Sequence, residues 1–340
     1  MLSFVMLVIG FVLLVWGADK FVEGASALAR KMGVSPLLVG LTIVAFGTSM
    51  PELAVSVTAA LRGANEIAVG NVVGSNIFNV FVILGICALI RPLVLTKENI
   101  RRDIPFGMAA SLVLLAVTSD RLVCAGATDR IGRPDGIVML ALYIGLMWYM
   151  IRTTKRQRGM PGAAGGTKTP ASEAGAIVKN GVKQAEGTKK PMALWLAGVM
   201  IAGGLAGLIF GGEMFLKSAT AIARTLGISE SVIAITLVAG GTSLPELASS
   251  VVSLLKGKAE MALGNVIGSN IANILLILGI SATIHPLTMG GITLTDILVV
   301  VLSSLLLFMA AFTFRSKKLD RWEGAIFLAI YIAYIWYLVR

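Results

Sequence analysis

The sequence predicts an all-α polytopic membrane protein with about ten transmembrane helices in two inverted five-helix repeats, the second and seventh helices being broken. Three observations carry this. The 340 residues are 56% hydrophobic and only 14% charged, with a mean hydropathy of +0.88, outside the range of soluble domains. GTSMPELA at Gly47–Ala54 and GNVVGSNIFN at Gly70–Asn79 return as GTSLPELA at Gly241–Ala248 and GNVIGSNIAN at Gly264–Asn273, both displaced by 194 residues, which marks a duplicated unit. Each repeated block places Gly and Pro inside an apolar run, where a membrane helix would have to depart from regular geometry.

Spanning requires about 20 mostly apolar residues. Such runs occur at Leu2–Val22, Pro36–Leu61, Ile67–Ile90, Ile104–Thr118 and Gly136–Ile151 in the first half. Those of the second half are Ala193–Phe215, Ser231–Leu255, Met261–Ile284, Ile292–Phe314 and Glu323–Val339. The first run is no cleaved leader: it lacks a basic start, and Gly17–Arg30 has a counterpart at Gly211–Arg224 in mid-chain. The domain reading is therefore 1–151 for the first repeat, 152–190 for a linker and 191–340 for the second repeat.

Five spans per repeat is an odd number, so the second copy enters the membrane from the opposite side. With the N-terminus outside, the inner loops collect Arg30, Lys31, Arg91, Lys97, Arg101, Arg102, Lys256, Lys258, Arg315, Lys317, Lys318 and Arg321. The outer loops keep only Arg62, Arg121, Arg130, Arg133, Arg224 and Arg340. Cytoplasmic enrichment in Lys and Arg selects that orientation, with both termini outside, the linker cytoplasmic and a prokaryotic inner membrane as the expected location. Most of the net charge of +11 comes from the linker, where nine Lys and Arg meet two Glu. The linker has no aromatic residues on which bases could stack, so nucleic acid is not an expected partner. A connector that sets topology and touches anionic lipid fits better. Cys87 and Cys124 match no disulfide or metal spacing, and the single histidine, His285, reads as a loop residue.

The chemistry lies in the repeated blocks. Side chains three and four apart share a helix face, which places Thr48 and Ser49 beside Glu52, and Thr242 and Ser243 beside Glu246. Pro51 and Pro245 cannot donate to the carbonyl four residues back, which frees Gly47 and Gly241 oxygens. Ser75 and Asn79 share a face of the third span, as do Ser269 and Asn273 of the eighth. Asn71, Asn76, Asn265 and Asn270 fall on other faces and read as bridges to broken backbone or neighbouring helices. Together the copies offer two carboxylates, six hydroxyls, the Asn79 and Asn273 amides and several carbonyls. An all-oxygen set suits hard cations such as calcium and sodium, and two glutamates neutralise one calcium. Ser and Asn alone would read as helix-packing groups. Glu52 and Glu246 do not, because no Lys or Arg lies in the second, third, seventh or eighth span to offset their charge.

At these motifs the chain resembles the calcium/cation antiporter superfamily, prokaryotic sodium/calcium exchanger type. The resemblance implies exchange of calcium for sodium at a midplane site, with calcium and sodium as transported ions and no cofactor. It implies as ligands Glu52, Glu246, Thr48, Ser49, Thr242, Ser243, Ser75, Ser269 and Asn79, with the carbonyls of Ala45 and Ala239. Asn273 resembles a position that carries Asp in potassium-dependent members, so it argues against potassium co-transport. The nearest rival is a calcium/proton antiporter using the same glutamates. An intramembrane hydrolase built on Ser49 or Ser243 lacks a base, and a passive channel does not account for two inverted broken helices.

Overall fold

The computed structural model describes residues 2–119, 130–158, 192–227, 239–313 and 317–339. Cys124, most of the linker and the start of the expected seventh span lie outside them. Every apolar run within the described residues is helical. The first half comprises α1 (Leu2–Met32), α2 (Pro36–Thr48), α3 (Met50–Leu61), α4 (Asn65–Ile90), α5 (Ile104–Val117) and α6 (Arg133–Arg158). The second half gives α7 (Leu194–Thr225), a helical turn at Ala239–Gly241, α8 (Leu244–Leu255), α9 (Ala259–Ile284), α10 (Leu294–Ala310) and α11 (Arg321–Val339). By length and apolarity α1, α4, α6, α7, α9 and α11 can each cross a bilayer, and α2 with α3 forms a seventh, broken span bent by 47°.

The first helix runs ten residues past the predicted span end at Val22, with Asp19 and Lys20 just before that point and Glu23 just after it. These charges interrupt the apolar run without ending the helix, because they pair: Lys20 Nζ lies 3.5 Å from Asp19 and 3.9 Å from Glu23, and Lys256 Nζ lies 2.6 Å from Asp19 Oδ1. The corresponding stretch of α7 carries Glu213 bonded to Lys217 at 2.6 Å.

Helices α1 and α7 pack antiparallel through a glycine seam. A methyl group on Gly10 would meet Phe215 N at 2.6 Å, one on Gly17 would meet Leu208 N at 2.5 Å, and one on Gly24 would meet Ala197 O at 2.8 Å. Rising numbers on one helix thus face falling numbers on the other, which is the inversion of the repeats seen directly. Two short bridges repeat the exchange: Leu93–Val94 pairs with Lys318–Leu319 in the second half, and its counterpart Leu287–Thr288 pairs with Arg130–Ile131 in the first.

The centre belongs to α4 and α9. Their apolar windows are 78% buried, against 17–33% for α1, α6, α7 and α11, whose outer faces are left to lipid. Valine, isoleucine and alanine supply that burial, among them Val69, Val72, Val73 and Ile77 on α4 and Val266, Ile271 and Ile274 on α9. Both helices change to π geometry where the repeated block ends, over Asn79–Leu84 and Ala272–Leu278. Such wide turns recur at functional sites because they displace backbone groups from the regular ladder. Helix α2 closes on α9 across Gly264 and Gly268, where an added Cβ would meet Leu37 O and Leu41 O at 2.6 Å.

Candidate functional site: an oxygen cage between the repeats

Both broken helices fail at the same residue of the motif. Ser49 sits at φ −83°, ψ 10° and Ser243 at φ −86°, ψ 7°, and in each case a proline at the second position of the next helix fixes the new direction. The turn redirects the hydroxyl. Helical spacing predicts Ser49 beside Glu52, but Ser49 Oγ donates instead to Glu246 Oε1 at 2.8 Å, across the interface of the repeats. Ser243 Oγ donates to Glu52 Oε1 at 3.1 Å in return. Each repeat thus holds the carboxylate of the other.

The threonines cross in the same way, Thr48 Oγ1 to Asn265 Oδ1 and Thr242 Oγ1 to Asn71 Oδ1, both at 3.2 Å. The amide nitrogens of those asparagines serve the broken backbone: Asn71 Nδ2 donates to Glu52 O at 3.1 Å and Asn265 Nδ2 to Glu246 O at 3.3 Å. They also bind Ser56 in one copy and Ser249 and Ser250 in the other, all at 2.9 Å. The three serines belong to the support of the glutamates, a role the repeated blocks alone did not reveal; only Ser56 and Ser250 stand at equivalent positions.

Of the remaining candidates, Ser269 Oγ lies 3.4 Å from Glu246 Oε1 and 3.5 Å from the Ala45 carbonyl, and Ser75 Oγ lies 3.5 Å from Thr242 Oγ1. The Ala45 carbonyl also accepts the Ser49 N–H at 3.0 Å, which leaves one of its lone pairs engaged in the helix end. Ala239 opens the described part of the second broken helix, in line with Ala45 in the first. Asn79 donates to Asn270 Oδ1 at 3.0 Å, and Asn270 in turn donates to Asn76 O at 3.3 Å. Asn273, the counterpart of Asn79, has no such neighbour among the described residues.

Glu52 and Glu246 are fully buried, as are Ser75, Asn79, Ser243, Ser269 and Asn273. Among the described residues the second oxygen of each glutamate, the Asn79 oxygen and both polar atoms of Asn273 have no hydrogen-bond partner. Buried polar atoms in native proteins are nearly always satisfied. Here four of these five unsatisfied atoms are oxygens, all on fully buried residues of the repeated blocks, and oxygen is the donor chemistry of a hard cation. No group of three or more His, Cys, Asp or Glu occurs among the described residues, so a thiolate or imidazole metal centre has no basis there. Cys87 is a buried apolar packing group, and His285 lies just past the end of α9 with Nδ1 near the Pro286 carbonyl.

Inverted repeats, broken helices meeting at mid-bundle and a buried oxygen cage define a membrane transporter of inorganic cations; nothing in the site performs covalent chemistry. The sodium/calcium exchanger protein family matches over residues 2–152 and 196–340, and the chain belongs to that family. It is 32% identical to the sodium/calcium exchanger MaX1 of Methanosarcina acetivorans, over 98% of this chain and 97% of that protein. It is 35% identical to the inner membrane protein YrbG of Escherichia coli K12, over 84% of this chain and 81% of that one. The solved structure of the sodium-calcium exchanger NCX_Mj soaked with zero Na+ and Ca2+ superposes with a TM-score of 0.78 at 31% identity, covering 99% of both chains.

Proposed function

We propose that this protein exchanges calcium for sodium by alternating access, the two ions competing for overlapping parts of the cage. The observation that carries the reading is the pair Glu52 and Glu246: fully buried, each held on one oxygen by a serine of the opposite repeat, each with its other oxygen unpartnered. Two carboxylates balance one calcium. Emptied, the same cage would leave two negative charges in a low-dielectric core, which opposes crossing without cargo and so couples the two fluxes. Thr48, Ser49, Ser75, Asn79, Thr242, Ser243, Ser269 and Asn273, with the carbonyls of Ala45 and Ala239, supply the remaining oxygens. Three sodium ions would exceed the charge of the glutamates by one, making the exchange electrogenic. The names of MaX1 and NCX_Mj, both sodium/calcium exchangers, support sodium as the counter-ion. The positive loops support an orientation with termini outside and residues 152–190 as the cytoplasmic connector between repeats 1–151 and 191–340.

Calcium uptake into proteoliposomes under separately imposed sodium, potassium and proton gradients tests this. Uptake should follow the sodium gradient, and Glu52→Gln or Glu246→Gln should each abolish it while the protein remains folded in the membrane. Uptake driven equally by a proton gradient alone would favour the calcium/proton reading, and near-normal flux in either variant would end the assignment of the glutamates.

A further inference from the structure

The two repeats are alike in sequence but not in packing. Helix α1 lies along α8, whereas its counterpart α7 makes at most marginal contact with α3, the counterpart of α8. Side-chain burial agrees. Ala248 is buried in a cluster with Leu14, Ala18 and Phe21 of α1, and Val252 packs against it, while the equivalent Ala54 and Thr58 on α3 are exposed. The bundle is therefore sealed on the side where α8 ends and parted on the side where α3 ends.

A salt bridge lies on the sealed side. Lys256, just beyond α8, bonds Asp19 of α1 through Oδ1 at 2.6 Å and through the carbonyl at 3.0 Å. Displacement by 194 residues turns Asp19 into Glu213 and Lys256 into Arg62, so the chain carries the same acid and base at the parted side. There the pair is not made: Glu213 bonds Lys217 of its own helix at 2.6 Å, and Arg62 is exposed with no carboxylate partner among the described residues. We infer that Asp19–Lys256 and Glu213–Arg62 are alternating latches, one closed while the other is open, that set which side of the membrane reaches the cage.

A chain made of two inverted copies that adopts one asymmetric packing can adopt its mirror in role, with α7 along α3 and α1 lifted from α8. In that arrangement Glu213 meets Arg62 and Asp19 loses Lys256. The two latches are not equal in competition. Four residues after Glu213 stands Lys217, which bonds the acid within its own helix at 2.6 Å; on its own helix Asp19 is met by the adjacent Lys20 at 3.5 Å, a looser pair that leaves Asp19 Oδ1 to Lys256 at 2.6 Å. The intrahelical bond of Glu213 thus weakens the second latch and biases the protein toward the packing seen.

The test reads accessibility and needs no flux, so it is independent of which ions are exchanged. In a background with Cys87 and Cys124 replaced by Ala, Thr58→Cys and Val252→Cys report the two sides through labelling by a membrane-impermeant maleimide applied to oriented vesicles. Asp19→Asn should raise Val252→Cys labelling by about two- to fivefold, the ratio that a partly exposed ion pair supports. Lys217→Gln, which frees Glu213 for Arg62, should shift labelling the same way, and Arg62→Gln should shift it the opposite way. Exchanging the charges, Asp19→Lys with Lys256→Asp, should return the wild-type pattern. Unchanged labelling in both Asp19→Asn and Lys217→Gln, or a charge exchange that behaves like the single variant, would overturn the proposal.

Discussion

The glycine seam between α1 and α7 gives a quantitative expectation. In Gly17→Ala the new methyl would stand 2.5 Å from Leu208 N and 2.7 Å from Gly204 O, about 0.9 Å short of ordinary contact on its tightest side. Its neighbours are backbone atoms and cannot swing away as a side chain would, so the helices must separate locally. Overpacking of this kind costs about 1–3 kcal/mol. Against that stands the gain of about 1 kcal/mol that alanine brings to a helix interior relative to glycine. The net is a loss of up to about 2 kcal/mol. Gly203 is the internal control, for it lies on α7 with nothing within 4 Å of where a Cβ would go. Gly203→Ala should therefore collect the propensity gain alone. Thermal unfolding in one detergent at one pH, followed by tryptophan fluorescence or by loss of monodispersity, should place Gly17→Ala below wild type and Gly203→Ala at or above it. Equal shifts for the two variants would show that the seam does not hold the helices at the described distance.

Two other expectations follow from single residues. Burial, reinforced by the neighbouring charges of Lys256 and Arg30, lowers the Lys258 ammonium to about 8, with Glu23 and Asp19 opposing weakly. The folded state then holds fewer protons than the unfolded chain between about pH 8 and 10.5, so this residue penalises folding below pH 8 and the penalty is relieved as pH rises. Lys258→Gln should raise the melting temperature at pH 7 and lose that advantage only as pH rises past 10.5; an advantage undiminished at about pH 11 would refute the electrostatic account. Asn273→Asp would add a third carboxylate beside Glu52 and Glu246; calcium flux in reconstituted vesicles should then depend on potassium, whereas wild-type flux should not. Wild-type flux that appears only when potassium is supplied would contradict the role given to Asn273.

Much of this architecture is legible in the sequence, because hydropathy marks each span and the 194-residue displacement pairs the halves. The broken helices are legible too, since Gly47, Pro51, Gly241 and Pro245 stand where a regular helix cannot tolerate them. Two things are not. Helical spacing counts neighbours within one element, so it assigns Ser49 to Glu52; only the turn at Ser49, and the other repeat lying against it, sends that hydroxyl to Glu246. Nor can repeats that share their motifs disclose which of them is docked. Asp19 and Glu213 look equivalent in sequence, and their different partners arise from a packing choice of the whole bundle. At the end of α1 hydropathy marks the apolar run to Val22 but not the polar continuation of the helix to Met32, where Asp19, Lys20 and Glu23 pair with one another.

The reciprocal bonds Ser49–Glu246 and Ser243–Glu52 also bear on how such a chain is made and inherited. During synthesis the first half enters the membrane before its complement exists, so Glu52 must wait for Ser243 and the cage is complete only when α8 and α9 arrive. A chain truncated before them carries a carboxylate with no serine to receive it. Over longer times the same cross-linking ties the copies together: a change in one hydroxyl is felt by the other copy's glutamate, so after duplication neither half could drift at this point without the consent of its twin.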